Sequence, residues 1–266
     1  VLFRSSSGVA FGPADYQRAE DILRDADIAL QKAKKECSGN YVIFEPHMRE
    51  QVFSRMRIGS DLRGAIERDE LSIVYQPIVD AQDGVVTRLE ALLRWEHPDY
   101  GSISPEVFIS VAEENGSIVD IGEWVLESVA RQRLAWRNEG YETLRVEVNL
   151  SPTHFRDTSR LIALFRRLRA DYGLQAGDLG IEITETTLLE YSRHIADALS
   201  ELVSAGVEIS IDDFGTGYAS MDYLKRLPVG TVKIDKSFVR DVHRVSKNRT
   251  IVTAMAQLSQ SLGIRT

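Results

Sequence analysis

Apolar and polar residues alternate along four segments in the second half of the chain. In residues 145–151, aliphatic side chains share one face and Glu147, Asn149 and Ser151 share the other. Side chains of a β-strand alternate between two faces, so this pattern indicates a strand with one apolar face. We expect the apolar faces to pack against helices and the polar faces to point into a barrel or onto a second layer. The same alternation is found in three further segments: 180–184, 207–212 and 231–235.

Strand-like and helix-like segments follow one another in regular order from residue 71 onward. This alternation favours a mostly parallel α/β sheet. The short turn at 80–84 joins the first two strands as a hairpin, so one of them is expected to run antiparallel to the rest. The predicted strands are Leu71–Val79, Arg88–Trp95, Leu144–Leu150, Leu179–Thr184, Val207–Asp212 and Thr231–Asp235. The predicted helices are Pro105–Asn115, Ile118–Glu139, Arg160–Tyr172, Ser192–Ala205, Ala219–Arg226 and Lys247–Leu262.

A smaller group of elements precedes this region. Residues 7–11 and 41–44 have strand character, and residues 17–35 carry apolar side chains at helical spacing. Residues 48–69 form a second amphipathic helical pattern, which predicts a linker into the larger region. The group is too small to bury its own faces and is expected to need a neighbouring domain.

Four polar side chains stand at matching levels of four predicted strands. A single Glu at a strand end is more often solvated than catalytic, but in (β/α) barrels the catalytic groups come from several such ends. Burying these groups without partners costs several kcal/mol each, so water, metal or ligand must satisfy them. A doubly wound open sheet, which binds its ligand in one crevice, is the alternative architecture. The four residues are Glu90, Asn149, Glu182 and Asp212.

Asp212 and Asp213 are adjacent carboxylates at the end of a β-branched segment, and the turn Gly215-Thr-Gly217 follows them. Two carboxylates ~4 Å apart repel by roughly 4 kcal/mol at an effective dielectric constant of about 20. A cation, a proton or a helix end must therefore compensate them. One interpretation is a metal-binding catalytic mouth, and the other is an Asx turn in which one Asp caps the next helix. This segment alone leaves both open.

The composition of the chain limits which partners and which cellular setting are expected. The 266 residues fit one large α/β barrel or two smaller domains, and the net charge of −8 argues against binding to nucleic acid polymers or anionic membranes. Cys37 is the only cysteine, which excludes a disulfide framework and a Cys zinc site and fits a cytoplasmic setting. No apolar run approaches the ~20 residues of a membrane span.

The residues at the strand ends suit phosphodiester chemistry. Carboxylate and carboxamide oxygens prefer hard divalent cations such as Mg²⁺ or Mn²⁺, and several acids around one mouth can hold two ions about 3.5–4 Å apart. Lys233 and Arg94 would offset phosphate charge or orient water. No Ser-His or Cys-His pairing is visible. Metal-assisted phosphodiester hydrolysis is the leading class.

The first part of the chain resembles the C-terminal tail of a GGDEF domain, the diguanylate cyclase fold. The resemblance rests on residues 25–34, on Gly39-Asn-Tyr41 and on Phe44. The signature GGDEF hairpin is absent, so no cyclase activity is implied, and Gln31 replaces the Tyr that is common in that helix. We expect residues 1–47 to be this α+β remnant and residues 48–60 to be a helical linker.

The rest of the chain, residues 61–266, resembles the EAL domain family. Such domains are (β/α)₈ TIM-like barrels with an antiparallel first strand, and they open cyclic di-GMP to linear pGpG with Mg²⁺ or Mn²⁺. The resemblance therefore implies this fold, substrate and metal, with two ions. The matching motifs are Gln76-Pro77, Glu90-Ala-Leu-Leu-Arg-Trp95, His97-Pro98, Asn149-Leu-Ser151, Glu182-Ile-Thr-Glu185, Asp212-Asp-Phe-Gly-Thr-Gly-Tyr218 and Lys233-Ile-Asp-Lys-Ser-Phe238.

The resemblance also implies roles for individual residues. Lys233 would contact the nucleophilic water and act in catalysis with Glu90 and Asp213, while Gln76 and Arg94 would hold the substrate. The implied metal ligands are Glu90, Asn149, Glu182, Asp212 and Asp213, with Asp212 shared between the two ions. A mobile loop would couple dimerisation to metal binding; Glu185 would anchor this loop, and Asp235 would support the site. Its residues include Phe214, Gly215, Thr216 and Gly217.

Family members continue past Gly263 with two more strands and a further metal-site Glu. We therefore expect the barrel of this chain to be incomplete, with its last two strands missing, and the chain alone to be inactive within an active parent. The parent is expected to be a cytoplasmic homodimer, which an N-terminal region could anchor to the inner membrane. The alternatives are a cyclic di-GMP receptor without turnover and a pure interaction platform.

Overall fold

The chain forms two compact units, Val1–Gly64 and Ala65–Thr266. The structure is a computed structural model. It describes residues 5–11, 16, 18–36, 40–185, 187, 193–217, 224 and 226–266.

The first unit is a small α/β arrangement. Strands β1 (Ser7–Val9) and β2 (Tyr41–Ile43) are parallel, and helix α1 (Ala19–Glu36) connects them. Helix α2 (Pro46–Leu62) follows. The buried carboxylate of Asp25 on α1 joins the helices, because it accepts hydrogen bonds from Arg49 Nε of α2 at 3.1 Å and from Tyr16 Oη at 2.7 Å.

Helix α2 ends earlier than its apolar pattern predicts. The pattern continues to residue 69, but the helix ends at Leu62 and residues 63–69 form turns. Asp69 has a left-handed φ of 54°, and Glu70 N donates to Ala65 O at 3.0 Å. The prediction of a helix over 48–69 was therefore wrong at its C-terminal end, where turns replace the last seven residues of the expected helix.

The second unit alternates strands and helices, as the sequence predicts. The bounds of β3, β7 and α3 are those expected, and the other elements shift by one to two residues. Strand β5, the 3₁₀ segment and α7 were not predicted, and the helix expected over Ala219–Arg226 lies mostly outside the described residues. The strands are β3 (Leu71–Val79), β4 (Val86–His97), β5 (Gly101–Ile103), β6 (Arg145–Asn149), β7 (Leu179–Thr184), β8 (Glu208–Phe214) and β9 (Thr231–Ile234). The helices are α3 (Pro105–Asn115), α4 (Ile118–Asn138), a 3₁₀ segment (Pro152–Asp157), α5 (Thr158–Tyr172), α6 (Arg193–Ser204), α7 (Lys236–Val239) and α8 (Ser246–Ser261).

The strands of this unit form one sheet in the order β3-β4-β6-β7-β8-β9, and β5 pairs with β4. The pairs from β4 to β9 are parallel, whereas β3 is antiparallel to β4 across the predicted hairpin. The sheet is strongly curved. Its curvature is shown by Arg88 Nη1 on β4, which lies 3.1 Å from Thr231 Oγ1 on β9 although three strands separate β4 from β9. Polar side chains of non-adjacent strands therefore meet on the concave side.

The aliphatic faces of the strands are buried, as their period-two pattern predicts. Val146, Ile181, Ile211 and Val232 are each 0% exposed. Fully burying such a side chain contributes roughly 1.5–3 kcal/mol, so this layer is a major source of stability. Within the described residues, no helix is long and apolar enough to cross a membrane.

Candidate active site

Four side chains from four strands meet at the carboxyl ends of the parallel strands. The ammonium of Lys233 on β9 lies 3.3 Å from Glu90 Oε2 on β4 and makes a short hydrogen bond with Glu182 Oε1 on β7. Asn149 on β6 donates from Nδ2 to Glu90 Oε1 at 2.9 Å. Asn149 and Glu182 pair in register across β6 and β7, which places both side chains at the same level. Tertiary structure therefore gathers four of the predicted site residues.

Lys233 is a cation held among carboxylates. Burial alone would lower the pKa of its ammonium group, but the charges of Glu182, Glu90 and Glu147 reverse this effect and raise the pKa. Lys233 is therefore protonated at neutral pH. It donates hydrogen bonds and carries positive charge at the centre of the site, and it cannot accept a proton there.

Glu182 is a buried carboxyl group with three charged side chains close to it. Burial, the adjacent Glu147 and the charge of Glu90 raise the pKa of Glu182 to about 9, although Lys233 opposes the shift. In the part of the chain that the structure describes, Oε2 of Glu182 has no hydrogen-bond partner, and neither does Oε2 of Glu147. A buried acceptor without a partner is costly, so this position favours a proton or a cation.

The two adjacent aspartates lie at the end of β8. Asp212 pairs in register with Thr184, and Asp213 takes a left-handed φ of 52°. Burial, followed by the carboxylates of Asp212 and Asp235, raises the pKa of Asp213. Asp235 Oδ1 accepts a hydrogen bond from Ser237 N at 2.9 Å, and Ser237 lowers the pKa of Asp235. Asp235 is therefore the capping residue of α7, whereas Asp212 and Asp213 lie at the carboxyl end of β8.

The predicted loop begins immediately after these aspartates. Gly215 N donates to Glu185 Oε2 at 2.7 Å, so the start of this loop is hydrogen-bonded to Glu185. A Cβ on Gly217 would lie 2.6 Å from Glu185 Oε1, so a larger residue there would displace the Glu185 carboxylate. Thr216 Oγ1 donates to Asp213 O at 2.9 Å, and Phe214 is buried. Residues 218–223 lie outside the described residues.

The two residues predicted to hold substrate are placed differently from each other. Gln76 on β3 is exposed and lies directly opposite Glu90 of β4 in the sheet register. Arg94 lies further along β4, where its Nη1 donates to Leu93 O at 2.9 Å. The structure therefore places Gln76 beside the site, whereas the guanidinium of Arg94 is occupied by a backbone carbonyl.

Two side chains that were not predicted as site residues lie directly beneath the site. Glu147 Oε2 is 3.5 Å from the Lys233 ammonium, and Glu147 Oε1 accepts from Arg88 Nη1 at 2.9 Å. Glu147 precedes Asn149 by two residues and Arg88 precedes Glu90 by two, so period-two alternation puts each on the same face as a predicted site residue. That spacing was the available signal.

The donor set fits a hard divalent cation. It consists of carboxylate oxygens and one carboxamide oxygen, and it includes the partnerless buried oxygen of Glu182. No three His, Cys, Asp or Glu side chains within the described ranges are gathered closely enough to hold a metal ion by themselves. The Lys233 ammonium lies among the acids instead, so a metal would require these side chains to rearrange around it.

A concave sheet with acids, an amide and a lysine at its carboxyl strand ends is typical of barrel hydrolases that act on phosphate esters. Residues 60–266 match the family described as the EAL domain, and the chain belongs to this family.

Curated relatives align with nearly all of the chain. The bifunctional diguanylate cyclase/cyclic di-GMP phosphodiesterase MucR of Pseudomonas aeruginosa is 38% identical over 265 residues, covering 100% of this chain and 38% of the relative. The cyclic di-GMP phosphodiesterase PdeR of Escherichia coli is 36% identical over 265 residues, covering 100% of this chain and 40% of the relative. The chain thus spans less than half the length of these relatives.

Solved structures show the same fold. The PaMucR phosphodiesterase in complex with c-di-GMP superposes with a TM-score of 0.74 at 41% identity, covering 78% of this chain and 84% of that chain. The EAL domain of Mycobacterium smegmatis DcpA superposes with a TM-score of 0.61 at 29% identity, covering 73% and 78% of the two chains. The chain therefore has the EAL fold, which is of the TIM-barrel type.

Proposed function

We propose that this protein is a metal-dependent phosphodiesterase that hydrolyses cyclic di-GMP to linear pGpG. The observation that carries the proposal is the position of the Lys233 side chain, which forms ion pairs with Glu90, Glu182 and Glu147 at the carboxyl ends of the strands. Membership of the EAL family supports it, and so do the names of the relatives MucR and PdeR.

Five side chains would hold the metal, which is Mg²⁺ or Mn²⁺. The family resemblance implies that two ions bind. When bound, the metal neutralises phosphate charge and makes water more acidic. The oxygens of Glu90 and Glu182 at the core of the site are held by Lys233, and Asn149 donates to Glu90, so its own amide oxygen stays available. The proposed ligands are Glu90, Asn149, Glu182, Asp212 and Asp213.

Lys233 orients the attacking water. Because its ammonium is protonated, it donates a hydrogen bond to the water oxygen and offsets the charge that develops at the phosphate. A carboxylate at the rim must take the proton of the water, and Asp213, at the carboxyl end of β8, is the proposed acceptor. The water oxygen forms a bond to phosphorus, the bond from phosphorus to the ribose oxygen breaks, and the proton taken from the water passes to that oxygen.

Substrate binding involves Gln76 and Arg94 in this proposal. Gln76 lies opposite Glu90 and presents an exposed amide to a nucleotide at the mouth. Arg94 would exchange its contact with Leu93 O for a phosphate oxygen, which forms stronger, charge-assisted hydrogen bonds with a guanidinium. The loop would respond to changes in the site through Glu185, because Glu185 accepts a hydrogen bond from Gly215 N directly after the aspartates. Asp235 would support the same region. The loop residues are Phe214, Gly215, Thr216 and Gly217.

The proposal is tested by turnover. The purified protein is incubated with cyclic di-GMP and Mn²⁺ or Mg²⁺, and pGpG is measured by chromatography. We expect metal-dependent formation of pGpG that EDTA stops. Glu90→Gln is expected to lower kcat at least about 100-fold, since it removes a metal-ligand charge. Glu96→Gln, an exposed change on the same strand, is the matched control and is expected to leave kcat unchanged.

The alternatives give different results in this experiment. Binding of cyclic di-GMP in calorimetry without pGpG formation would identify a receptor. Neither binding nor turnover, with the protein shown to be folded, would leave an interaction platform. Equal activity of Glu90→Gln and Glu96→Gln would contradict the proposed site.

We propose the following organisation around this domain. Residues 1–47 are the tail of a GGDEF domain, residues 48–60 are a helical linker, and residues 61–266 belong to an eight-stranded EAL barrel. The alignment of the whole chain with MucR, whose name includes diguanylate cyclase, supports the first assignment. The antiparallel β3 supports the third.

We also propose a cytoplasmic homodimer that forms through the EAL domain. The presence of a single cysteine fits a reducing compartment, and the resemblance of the loop after Asp213 supports the dimer. Light scattering of the purified protein with and without Mn²⁺ tests the dimer, and a monomer under both conditions would contradict it.

A further inference from the structure

A second polar layer lies beneath the candidate active site. Arg88 Nη1 is 2.9 Å from Glu147 Oε1 and 3.1 Å from Thr231 Oγ1, and Ser210 Oγ is 3.5 Å from the same Glu147 oxygen. These residues come from four strands, β4, β6, β8 and β9. Each precedes a residue of the site by two positions, so the layer follows the strand repeat.

Glu147 connects this layer to the site. Its side chain is 0% exposed, so it is too deeply buried to touch a nucleotide at the mouth. Its Oε1 is held by Arg88, and its Oε2 faces the Lys233 ammonium at 3.5 Å. The only described cation other than Arg88 that is in ion-pair contact with Glu147 is Lys233.

Lys233 has a long, flexible side chain, so its position depends on what surrounds its ammonium group. Glu90 and Glu182 attract it from the level of the mouth, and Glu147 attracts it from below. If the attraction from below is lost, the ammonium is held only by the two carboxylates that are also proposed to bind metal.

We propose that Glu147, fixed by Arg88, is a positioning residue for Lys233. Its charge attracts the ammonium from below, so that Lys233 keeps a carboxylate partner at the site when a metal takes over the oxygens of Glu90 and Glu182. Glu147 touches no substrate, and the contacts that carry its proposed role are those with Arg88 and Lys233. The inference rests on the proposed function for its kinetic consequence, but its structural consequence can be measured without turnover.

Glu147→Gln is the direct variant, because it has the same shape and still offers Arg88 a carbonyl oxygen while it removes the charge facing Lys233. Glu208→Gln is the matched control. Glu208 is also a paired carboxylate on the concave face, with contacts to Arg145 and Arg265, but it lies one layer further down and does not contact Lys233.

The first readout is the side-chain ammonium signal of Lys233 in ¹⁵N-labelled, metal-free protein, which Lys233→Met assigns. An ammonium held among three carboxylates exchanges slowly with water, so we expect a visible signal in the wild type and in Glu208→Gln. We expect the signal to shift or broaden away in Glu147→Gln. No signal in the wild type, or an unchanged signal in Glu147→Gln, would overturn the proposal.

The second readout is steady-state kinetics with cyclic di-GMP. We expect Glu147→Gln to lower kcat about tenfold with KM changed less than twofold, as is typical for groups that orient catalytic residues, and Glu208→Gln to keep both constants within twofold. Equal losses in the two variants would mean a structural role only, and would overturn positioning. If the wild type shows no turnover, the proposed function fails, whereas the ammonium signal still decides on Glu147.

A folding control accompanies these measurements. Circular dichroism and urea unfolding establish whether each variant is folded. If Glu147→Gln does not fold, Arg88→Lys replaces it, since lysine keeps the charge but loses the planar guanidinium whose Nη1 contacts both Glu147 Oε1 and Thr231 Oγ1. The same displacement of the Lys233 signal, to a smaller extent, is then expected, and an unchanged signal would contradict positioning.

Discussion

At the scale of single residues, the molecule contains several buried polar groups whose charge is decided by their neighbours. Lys233 stays protonated because three carboxylates surround it, and Glu182 is pushed towards the neutral form by burial. His154 differs, because no described acid pairs with its ring. It is 6% exposed, its Nδ1 lies 3.1 Å from Ser151 O, and its Nε2 has no hydrogen-bond partner in the described part of the chain.

His154 is expected to make the protein less stable in mild acid. Burial lowers its pKa below the value of about 6.5 in the unfolded chain, so the unfolded state binds the proton first as the pH falls. The stability that the neutral ring of His154 contributes to the folded state is therefore complete above about pH 6.5. It is lost as the pH falls through the pKa that His154 has in the folded protein. Urea unfolding at pH 7.5, 6.5 and 5.5 measures this loss. His154→Gln should reduce the pH dependence, whereas the exposed His243→Gln should retain it, and identical slopes in both variants would refute the assignment.

At the scale of elements, α4 is joined to the segment before β7 by a buried ion cluster. Asp178 Oδ1 lies 2.9 Å from Arg133 Nη2, and Oδ2 forms a short contact with Arg137 and accepts from Gln175 N at 2.6 Å. Arg133 is 0% exposed, so its charge depends on Asp178 for compensation. The cluster fixes α4 against the strand that carries Glu182.

Asp178→Asn is expected to destabilise the protein by about 3–5 kcal/mol, because it leaves a buried guanidinium without its countercharge. Asp171→Asn, at an exposed position at the end of α5, should change stability by no more than about 0.5 kcal/mol. The free energy of unfolding in urea measures both. A loss below about 1 kcal/mol for Asp178→Asn would show that water or a rearranged partner compensates Arg133.

At the scale of the whole molecule, the concave face of the sheet carries ion pairs, whereas the interior of many barrels is filled by aliphatic side chains. From the bottom upward, Glu208 pairs with Arg145, Glu147 pairs with Arg88, and Glu182 pairs with Lys233. Carboxylates exceed cations at the upper end, where Glu90 and the aspartates are added. A divalent cation that binds there should therefore stabilise the folded state as a whole.

Mn²⁺ is expected to raise the free energy of unfolding by about 2.7 kcal/mol at a concentration 100 times its Kd, because it binds only the folded state. Thermal unfolding with Mn²⁺ and with EDTA measures this effect. Asp212→Asn should abolish the stabilisation, and Asp171→Asn should keep it. Stabilisation that survives in Asp212→Asn would place the metal elsewhere.

The elements were predictable where the pattern of residues is local. Leu71–Val79 and Pro105–Asn115 have the predicted bounds because side-chain alternation and a Pro at the helix start are features of the chain itself. Strand β5 was missed, because three residues are too short for a periodic signal and their pairing with β4 is non-local. The end of α2 was missed because the apolar pattern continues past Leu62 into residues 63–69, which fold as turns.

The sequence by itself determined which faces of the strands are polar, which residues stand at the strand ends and which family the motifs resemble, because these follow from spacing along the chain. It did not reveal that Lys233 lies among Glu90, Glu147 and Glu182, or that Arg88 reaches across the sheet to Thr231. These contacts join residues 51–143 positions apart, and only the curvature of the sheet brings them together. The local alternation of residues therefore identified the candidate site residues, and the tertiary structure decided which of them form ion pairs.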